Sequence, residues 1–394
     1  MRQAKTPFHL ITKPIGAQCN LRCEYCFYLE KTDLYPGQRA AAFRMSEAML
    51  ERMIKSLVQA RAPQQNELEF TWQGGEPTMM GVGFFRKAVE LQKKYVPPGI
   101  AVFNSFQTNA TLIDDEFAAF LAEHKFLVGV SVDGPQVLHD RYRYDIAGRG
   151  SFAAVMKGLE TLKKHRVEYN ILTVVQNDNA EHPEAVYDFL KTLGTPFLQF
   201  IPIVEPAAEN GASPQSVSGK QWGEFMTRIF HRWREKDMGD VFVQLFDMTL
   251  GITVGYPASL CVHARTCGRA AALEHNGDVY SCDHFVDKKH FLGNITQKPL
   301  AELVDGKFQR QFGEDKFAAL PKPCRACPEL RFCHGGCPKD RLIPAEGGKL
   351  NWLCEGYQRF FRETAPYFSA MAQALRHGRL AADYPRFMPG APGK

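Results

Sequence analysis

The sequence predicts an α/β fold with a parallel sheet, followed by a cysteine-rich region. Short β-rich segments alternate with amphipathic helical segments from residue 9 to about residue 204, and eight cysteines follow between residues 261 and 354. Such alternation is typical of parallel strands joined by crossover helices. The hydrophobic content of 45% and the charged content of 23% are ordinary for a folded protein of 394 residues. We therefore expect neither a disordered nor a fibrous chain.

Six strands are predicted in the first part of the chain. They begin at His9, Glu67, Ala101, Leu127, Val167 and Phe197, with the sequences HLITKP, ELEFTWQG, AVFNSFQTN, LVGVSVDG, VEYNILTVV and FLQFIPIV. The clearest helical stripe between them consists of Phe152, Val155, Met156, Leu159 and Leu162. Six units are fewer than the eight of a closed barrel, so the pattern fits an open six-unit barrel or a doubly wound sheet. In both folds the chemistry gathers at the carboxyl ends of the strands.

A loop and a second domain are expected after the sixth strand. Residues 205–220 are rich in Pro, Ser, Gly and Ala, and an amphipathic helix is predicted over residues 222–233. We place the domain boundary after that helix, which gives domains at residues 1–235 and 236–370 and a tail at residues 371–394. The tail contains Pro385, Pro389 and Pro392, and it is expected to be loosely ordered.

Charge and cysteine content argue against several classes of protein. The net charge is +5 and no run of Lys or Arg reaches five residues, so nucleic acid is not the expected partner. No apolar segment approaches the eighteen or so residues of a membrane span, and Thr12, Lys13 and Pro14 interrupt the start that a signal peptide would need. We expect no membrane association and a cytoplasmic location, where the eleven cysteines would be reduced thiols.

Three of the cysteines lie together directly after the first strand. Cys19, Cys23 and Cys26 occupy the segment CNLRCEYC, and no fourth cysteine is near them. A structural zinc site needs four ligands, and an iron–sulfur cluster normally uses four thiolates. The set of three indicates either a cubane cluster with one iron free for a small ligand, or a zinc or redox fragment completed by a distant residue.

Polar and glycine-rich segments follow the next three strands. The second strand is followed by Gln73-Gly74-Gly75-Glu76-Pro77, the third ends at Asn109, and the fourth leads into Ser131 and Asp133. Each segment taken alone is an ordinary turn. Together they place hydrogen-bonding groups on one rim of the predicted sheet. Arg143 lies shortly beyond, and it belongs either to this rim or to the solvated surface.

The other eight cysteines suit two closed four-cysteine sites. They are Cys261, Cys267, Cys282, Cys324, Cys327, Cys333, Cys337 and Cys354. The spacing of the four cysteines from Cys324 to Cys337 would also suit zinc if it stood alone. An Asn-Gly turn in EHNGDVYSCD predicts a hairpin just before Cys282. Asp283 is then either a carboxylate held beside a metal site or an exposed turn residue.

The spacing of the first three cysteines, with Tyr25 before Cys26, resembles the radical S-adenosylmethionine (SAM) superfamily. The resemblance implies a partial (β/α)6 barrel whose open side admits a large substrate such as a peptide. It also implies a four-iron four-sulfur cluster held by Cys19, Cys23 and Cys26, with the amino and carboxylate groups of SAM on the open iron. The residues that it assigns to the cofactor are Tyr25, Gly74, Gly75, Glu76, Asn109, Ser131, Asp133 and Arg143.

The later cysteines resemble the SPASM domain, which holds two auxiliary four-iron clusters. The first cluster is assigned Cys261, Cys267, Cys282 and Cys337, and the second is assigned Cys324, Cys327, Cys333 and Cys354. The resemblance thus implies three 4Fe-4S clusters in all. Because both auxiliary sites are then complete, they suit electron carriers. His263, His284 and His334 are expected to be neighbours of the clusters rather than ligands.

Segments along nearly the whole chain are similar to those of anaerobic sulfatase-maturating enzymes. They are CFYLEK, FTWQGGEP, NSFQTNATLID, KFLVGVSVDGP, VEYNILTVV, FLQFI and VYSCDHFV. This resemblance implies oxidation of a Cys or Ser side chain in an unfolded sulfatase polypeptide to Cα-formylglycine. It assigns Asp283 as the general base and Tyr28 and Gln73 to the substrate pocket. It also implies an electron donor such as flavodoxin or ferredoxin.

Two other functions remain open on sequence grounds. One is a different SPASM peptide maturase, which forms thioether or carbon–carbon crosslinks in a ribosomal peptide. Against it, no separate leader-peptide-binding domain is expected before the first strand. The other is a metal-binding or electron-transfer protein without SAM chemistry, and a zinc-containing protein would favour that function.

Overall fold

The computed structural model describes residues 3–38, 40–207 and 211–389. The described residues pack into two compact units, each built from several segments of the chain. Unit 1 draws on Met1–Ser131, His139–Tyr169 and Cys267–Glu314, and unit 2 draws on Val132–Leu138, Asn170–Thr266 and Asp315–Lys394. The domain bounds predicted at residues 235 and 370 follow the order of motifs in the sequence, and they stay a prediction.

All six strands predicted from the sequence are confirmed, and the fifth begins two residues later than predicted. In chain order the strands are β1 His9–Lys13, β2 Glu67–Trp72, β3 Ala101–Thr108, β4 Leu127–Ser131, β5 Tyr169–Val175, β6 Phe197–Pro202, β7 Phe242–Val243, β8 Ala270–Glu274, β9 Asp278–Tyr280, β10 Phe291–Asn294, β11 Arg341–Ala345 and β12 Gly348–Asn351. The polar segments that follow β2, β3 and β4 therefore do stand at strand ends, as expected.

The helices alternate with the strands in the first half of the chain and dominate its last third. They are α1 Glu47–Ala60, α2 Val82–Tyr95, α3 Asp115–Glu123, α4 Gln136–His139, α5 Phe152–Lys164, α6 Pro183–Lys191, α7 Gly219–Lys236, α8 Gln244–Val254, α9 Leu300–Val304, α10 Lys307–Ala318, α11 Lys322–Arg325, α12 Leu330–Cys333 and α13 Cys354–Arg376. None of them, over the residues that the structure describes, has both the length and the apolar character that a membrane crossing requires.

Unit 1 contains a sheet in which β1 lies between two parallel neighbours. The strand order within the unit is β10-β9-β8-β1-β2-β3-β4. β1 pairs in parallel with β2 on one side and with β8 on the other, where Lys13 lies opposite Glu274. β9 then returns antiparallel to β8. The predicted hairpin is confirmed, and its addition to β1 brings the segment after β9 close to the loop after β1.

An aromatic core fixes the strands of unit 1 in place. The ring of Phe85 from α2 lies 5.6 Å from Trp72 of β2 and 5.0 Å from Phe106 of β3, both in edge-on contacts. All three side chains are at most 1% exposed. Such pairs stabilise a core beyond the area that they bury. The predicted stripe on α5 also faces inward, since Val155 and Leu159 are fully buried.

In unit 2, α7 and α13 pack at unusually short range. β5, β6 and β7 pair in parallel, and β11 and β12 form a hairpin. A Cβ atom on Gly223 of α7 would lie 2.7 Å from the Cα of Gly356 of α13, so only glycine permits this crossing. Phe230 of α7 then contacts Phe368 of α13, with 5.0 Å between ring centroids. The crossing fixes the start of α13, where Cys354 lies.

The prediction of a loosely ordered tail is wrong for residues 371–389. α13 continues to Arg376, and a 3-10 helix follows at Ala381–Phe387. Within it the Tyr384 side chain is 7% exposed, and its hydroxyl accepts a hydrogen bond from Arg234 Nη1 at 3.0 Å. Pro385 lies inside this helix. Pro392 lies outside the described residues.

Candidate active site

The three-cysteine loop begins shortly after β1 and is held by backbone hydrogen bonds. The N–H of Arg22 donates to the carbonyl of Tyr144 at 2.8 Å, and the N–H of Cys26 donates to the carbonyl of Cys23 at 3.0 Å. The thiols of Cys19, Cys23 and Cys26 are all partly buried. The loop therefore has a defined backbone path that carries three partly buried thiols between Cys19 and Cys26.

Burial disfavours the thiolate form of these cysteines in the protein alone. It raises the pKa of Cys19 to about 12, with a further rise from the Glu76 carboxylate, while the N–H of Leu21, 3.3 Å from Sγ, acts in the opposite direction. Burial also raises the pKa of Cys26 against two following backbone N–H groups. Metal ligation removes thiol protons, and N–H groups directed at sulfur stabilise bound thiolates. This donor pattern fits an iron–sulfur cluster.

Gly74 and Gly75 allow the loop after β2 to pack directly against the segment that precedes the cysteines. The N–H of Gly75 donates to the carbonyl of Gly16 at 2.8 Å, and the N–H of Glu76 donates to the carbonyl of Gln18 at 2.9 Å. A Cβ atom on Gly75 would lie 1.8 Å from the Gln18 oxygen, and Gly74 has a φ of +133°. Residues with a Cβ atom therefore do not fit at these two positions. The predicted contact of both glycines with SAM stays a prediction.

Glu76 is a buried centre that joins the ends of β2 and β3. Its side chain is 1% exposed. One carboxylate oxygen accepts hydrogen bonds from the N–H of Thr78 at 3.0 Å and the hydroxyl of Thr108 at 2.7 Å, and the other accepts from the N–H of Asn109 at 2.7 Å. Asn109 in turn donates from Nδ2 to Asn20 Oδ1 at 2.9 Å, inside the cysteine loop. Glu76 and Asn109 thus position that loop, and their contacts with SAM stay predictions.

The other residues assigned to the cofactor are buried as well. In unit 1, Ser131 ends β4 at 8% exposure, and the guanidinium carbon of Arg143 lies 5.5 Å from the ring centroid of Tyr25. Arg143 is 7% exposed, so the alternative of a solvated surface arginine is wrong. In unit 2, the Asp133 carboxylate accepts a hydrogen bond from the N–H of Val174 at 3.0 Å. Cofactor contacts of these residues stay predictions.

Asp283 contacts a lysine that the sequence pattern did not indicate. Lys13, the last residue of β1, is 1% exposed. Its ammonium group contacts the Asp283 carboxylate, donates to Gln73 Oε1 at 2.9 Å, and lies 4.2 Å from the ring centroid of Tyr28. The alternative of an exposed turn aspartate is wrong, since Asp283 is 9% exposed. One ammonium group therefore joins the predicted base to both residues predicted to line the substrate pocket.

The charges in this pocket favour an ionised carboxylate beside a protonated phenol. Burial raises the pKa of Asp283, but the charges of Lys13 and His284 outweigh it, and the net pKa lies below the ordinary value. Burial, together with the carboxylates of Glu274 and Asp283, holds the pKa of Tyr28 well above its usual range. The Tyr28 hydroxyl donates to Glu274. The pocket therefore offers Asp283 as an ionised carboxylate and Tyr28 as a hydroxyl fixed by Glu274.

Lys13 and Glu274 are the site residues that the sequence reasoning missed. The available signal was a charged residue at the end of an apolar strand, directly before Pro14. A buried charge needs a partner, and that need makes such a lysine a candidate. Glu274, 1% exposed, had no comparable signal, because its place opposite Lys13 depends on the pairing of β8 with β1.

The cysteines assigned to the second auxiliary cluster line one pocket in unit 2. The pocket is lined by Cys324, Cys327, Cys333 and Cys354 together with apolar neighbours such as Leu330 and Tyr357. Burial raises the pKa of Cys333 to about 12 and that of Cys354 to about 11. The N–H of Gly335 lies 3.4 Å from Cys333 Sγ, the kind of donor that stabilises a cluster thiolate. Four thiols around one pocket fit a closed four-cysteine cluster.

The cysteines assigned to the first auxiliary cluster are divided between the units. In unit 1, the Gln309 side chain donates to the carbonyls of Gly268 at 2.8 Å and Ser281 at 2.9 Å, which are the chain neighbours of Cys267 and Cys282. Cys261 and Cys337 belong to unit 2. Among the described residues, His, Cys, Asp and Glu side chains do not gather in threes as ligands of a metal ion. The ligand sets of all three clusters stay predictions.

Comparison with known proteins shows that two family models match this chain, one in its first half and one in its second half. A family model of the Radical SAM superfamily matches residues 14–190, which include the cysteine loop and β2 to β5. A model of SPASM, an iron-sulfur cluster-binding domain, matches residues 261–328. The fold and the site thus define a radical SAM enzyme with a SPASM domain. The alternative of an electron-transfer protein without SAM chemistry is wrong.

Full-length relatives define the family more narrowly. The serine-type anaerobic sulfatase-maturating enzyme of Bacteroides thetaiotaomicron is 42% identical, over 96% of this chain and 94% of that protein. The cysteine-type enzyme of Clostridium perfringens is 35% identical, over 94% of this chain and 100% of that protein. The solved structure of native anSMEcpe with bound AdoMet and Cp18Cys peptide has a TM-score of 0.85 at 35% identity, over 94% of this chain and 100% of that chain. The chain belongs to the anaerobic sulfatase-maturating enzymes.

These matches confirm the predicted fold class, a partial (β/α)6 barrel followed by a SPASM domain. They also support iron–sulfur and SAM binding by the family.

Proposed function

We propose that this enzyme oxidises a cysteine or serine side chain of an unfolded sulfatase polypeptide to Cα-formylglycine. The observation that carries the proposal is the buried contact of Lys13 with Asp283, beside Gln73 and Tyr28. It supplies an ionised acceptor for a side-chain proton in a protected pocket. Relatives named sulfatase-maturating enzymes, of both serine and cysteine type, support the same reaction.

The radical step belongs to the cofactors that the chain would bind. Cys19, Cys23 and Cys26 would hold a four-iron cluster, which together with SAM would supply the radical chemistry for removing a hydrogen atom from the substrate β-carbon. Glu76 and Asn109 hold the cysteine loop in position for this group through the hydrogen bonds described above. The protein contributes binding, orientation and exclusion of water.

Asp283 takes the remaining proton from the substrate hydroxyl or thiol. This role requires an ionised carboxylate within hydrogen-bond reach of the substrate. Lys13 keeps the carboxylate ionised and fixes its direction, and Gln73 and Tyr28 line the space beside it. One electron must then leave the substrate for the double bond to form, and the eight later cysteines would hold its acceptors. The product is an aldehyde from serine, or a thioaldehyde that water hydrolyses from cysteine.

We further propose three 4Fe-4S clusters per chain, a flavodoxin or ferredoxin as the electron donor, and a cytoplasmic location. All eleven cysteines are free thiols rather than disulfides, which is the form expected in a reducing compartment. The two auxiliary sites are complete without other ligands, a property that suits electron transfer.

Anaerobic incubation with SAM, a reductant and a short peptide tests the function. One peptide carries Cys-x-Pro-x-Arg and the other Ser-x-Ala-x-Arg. We expect an aldehyde that reacts with a hydrazide reagent, detected by mass spectrometry. A thioether or carbon–carbon crosslink also loses two hydrogens but gives no aldehyde, so the hydrazide reaction separates the two functions. A crosslinked product without aldehyde would favour the peptide maturase.

The Asp283→Asn variant tests the base. Asparagine keeps the size of the side chain but cannot take up the substrate proton, so we expect peptide oxidation to fall by about a hundredfold or more. Iron content and deoxyadenosine release should persist. The exposed Asp33→Asn in the same unit is the matched control and should retain full activity. Normal turnover by Asp283→Asn would show that the base is elsewhere.

A further inference from the structure

Lys316 is a buried lysine whose ammonium group is directed at the loop of Cys261. It lies in α10, within unit 2, and is 1% exposed. Nζ donates to the carbonyl of Cys261 at 2.6 Å and to that of Val262 at 2.9 Å, and it also donates to the carbonyl of Ala264. Three carbonyl oxygens can only accept. A neutral amine has two N–H donors and a lone pair, so the three contacts require the charged ammonium form.

The position of this charge is fixed relative to the later cysteines. The carbonyl of Lys316 accepts from Arg341 Nη2 at 2.7 Å, and Arg341 Nε donates to the carbonyl of Gly335 at 3.3 Å. A second link joins the same loops, because His263 Nδ1 lies 2.9 Å from the carbonyl of Phe332. Gly335 lies between Cys333 and Cys337, and Phe332 directly precedes Cys333. Lys316 is therefore bound through its ammonium group to the Cys261 loop and through its carbonyl to the segment that carries Cys333 and Cys337.

Burial makes this charge energetically costly, and it also strengthens the electrostatic effect of the charge on nearby groups. An ammonium group loses its hydration when it is buried, and backbone dipoles replace only part of it. The same low dielectric strengthens its attraction for any negative charge that develops nearby. An iron–sulfur cluster becomes more negative by one unit when it takes up an electron, and nearby charges are among the factors that set its reduction potential. A fixed cation beside a ligand therefore favours the reduced cluster.

We propose that Lys316 raises the reduction potential of the iron–sulfur group held at Cys261, so that this group accepts the electron that the substrate must lose. The inference rests on the proposed function, which assigns Cys261 to an auxiliary cluster. One electron enters the cluster and its charge falls by one unit. No proton accompanies it, because the ammonium group keeps its three protons on the three carbonyls. Lys316 is thus a positioning residue that acts through charge and does not contact the substrate.

The test is an anaerobic redox titration followed by electron paramagnetic resonance. It uses reconstituted full-length protein with Cys19→Ala, Cys23→Ala and Cys26→Ala, so that only auxiliary clusters give a signal. Lys316→Gln retains N–H donors without charge, Lys316→Met removes both, and Lys316→Arg keeps the charge. We expect both neutral variants to disfavour reduction of one cluster at least tenfold, which corresponds to a midpoint potential lower by about 59 mV for one electron. The arginine variant should stay near the parent value.

Two controls separate a charge effect from a structural one. Lys307→Met removes an exposed lysine from the same helix and should leave both potentials unchanged. A wild-type potential in Lys316→Gln, with a change only in Lys316→Met, would show that the lysine merely shapes the loop and would overturn the inference. If Lys316→Met does not fold, Lys316→Gln and Lys316→Arg decide between these outcomes.

A separate experiment tests the premise that Cys261 holds an iron–sulfur cluster. Cys261→Ala should lower the iron content or change the spectrum of one auxiliary cluster. Unchanged iron and spectra in Cys261→Ala would show that Cys261 holds no cluster, which would overturn the ligand assignment and this inference with it. A cluster lost in Cys261→Ala but unaffected in potential by Lys316→Gln would overturn the inference alone.

Discussion

At the scale of single residues, one buried ammonium group organises the candidate pocket. Lys13 contacts the carboxylate of Asp283 and the amide oxygen of Gln73, and it lies over the ring of Tyr28. A buried carboxylate without such a partner is strongly disfavoured. The state of the proposed base, Asp283, therefore depends on Lys13, and we expect loss of Lys13 to slow mainly the proton-transfer step.

Lys13→Met tests this dependence. Methionine fills a similar volume but gives no charge to Asp283 and no hydrogen bond to Gln73. We expect peptide oxidation to slow by about a hundredfold, the lower end of what a positioned acid or base contributes. Deoxyadenosine release should continue, because Lys13 hydrogen-bonds Gln73 and pairs with Asp283, and its effect on the cysteines is confined to the attraction of its charge for the Cys26 thiolate. The measurement is chromatography of deoxyadenosine alongside mass spectrometry of the peptide.

The matched control is Lys93→Met, which removes an exposed lysine from α2 of the same unit. It should leave both products at wild-type levels. Equal losses of deoxyadenosine and oxidised peptide in Lys13→Met would contradict the proposed role, since they would point to damage at the cysteine loop instead.

At the scale of elements, the strands could be predicted and their neighbours could not. β1 to β6 follow from apolar β-rich runs bounded by turn residues, and α5 follows from its stripe of apolar residues. The hairpin of β8 and β9 was also predictable from Asn276-Gly277. Its pairing with β1 was not, because the sequence gives no local signal for which sheet edge a distant strand joins. That pairing is what brings Asp283 to Lys13.

The sequence identifies the motif residues, but it does not show all the contacts that these residues make with other loops. The resemblance assigns Gly75 to the cofactor, and the structure shows that it also packs against the backbone of Gln18. It assigns Glu76 to the cofactor as well, and the structure shows that its carboxylate accepts hydrogen bonds from Thr78, Thr108 and Asn109. Contacts between distant loops depend on three-dimensional packing, and a spacing pattern does not encode them.

Gly75→Ala tests the packing of the two loops. The new Cβ atom would lie 1.8 Å from the Gln18 oxygen, so the chain leading to Cys19 must move. Forced movement of this kind costs about 1–3 kcal/mol in the free energy of unfolding. We expect that loss in urea unfolding of the metal-free protein, together with less iron and less deoxyadenosine after reconstitution.

Gly83→Ala is the control for this substitution. Gly83 lies in α2 with nothing within 4 Å of an added Cβ, so alanine should be neutral or slightly stabilising. Normal stability and iron content in Gly75→Ala would show that the two loops can separate without consequence.

At the scale of the whole molecule, the cysteines should divide the bound iron into three independent parts. About twelve irons per chain are expected from three 4Fe-4S clusters. Replacing Cys19, Cys23 and Cys26 with alanine should remove about four of them, and replacing the four cysteines that line the pocket of unit 2 should remove about four others. Iron and sulfide assays on anaerobically reconstituted protein measure both losses. Zinc in place of iron, or one substitution set that removes all the iron, would contradict this division.

The packing of β1 has a consequence for how the chain is made. One edge of β1 pairs with β2, which is the next strand in the chain. The other edge pairs with β8, with His9 opposite Ala270, so it stays unpaired until β8 has been synthesised. On the ribosome, most of the chain must therefore emerge before that edge is covered, and an uncovered edge invites mispairing. The carboxylate of Asp283 reaches Lys13 only after the same event. A nascent chain thus carries the three cysteines proposed to hold the SAM cluster long before it carries the carboxylate proposed to complete the oxidation.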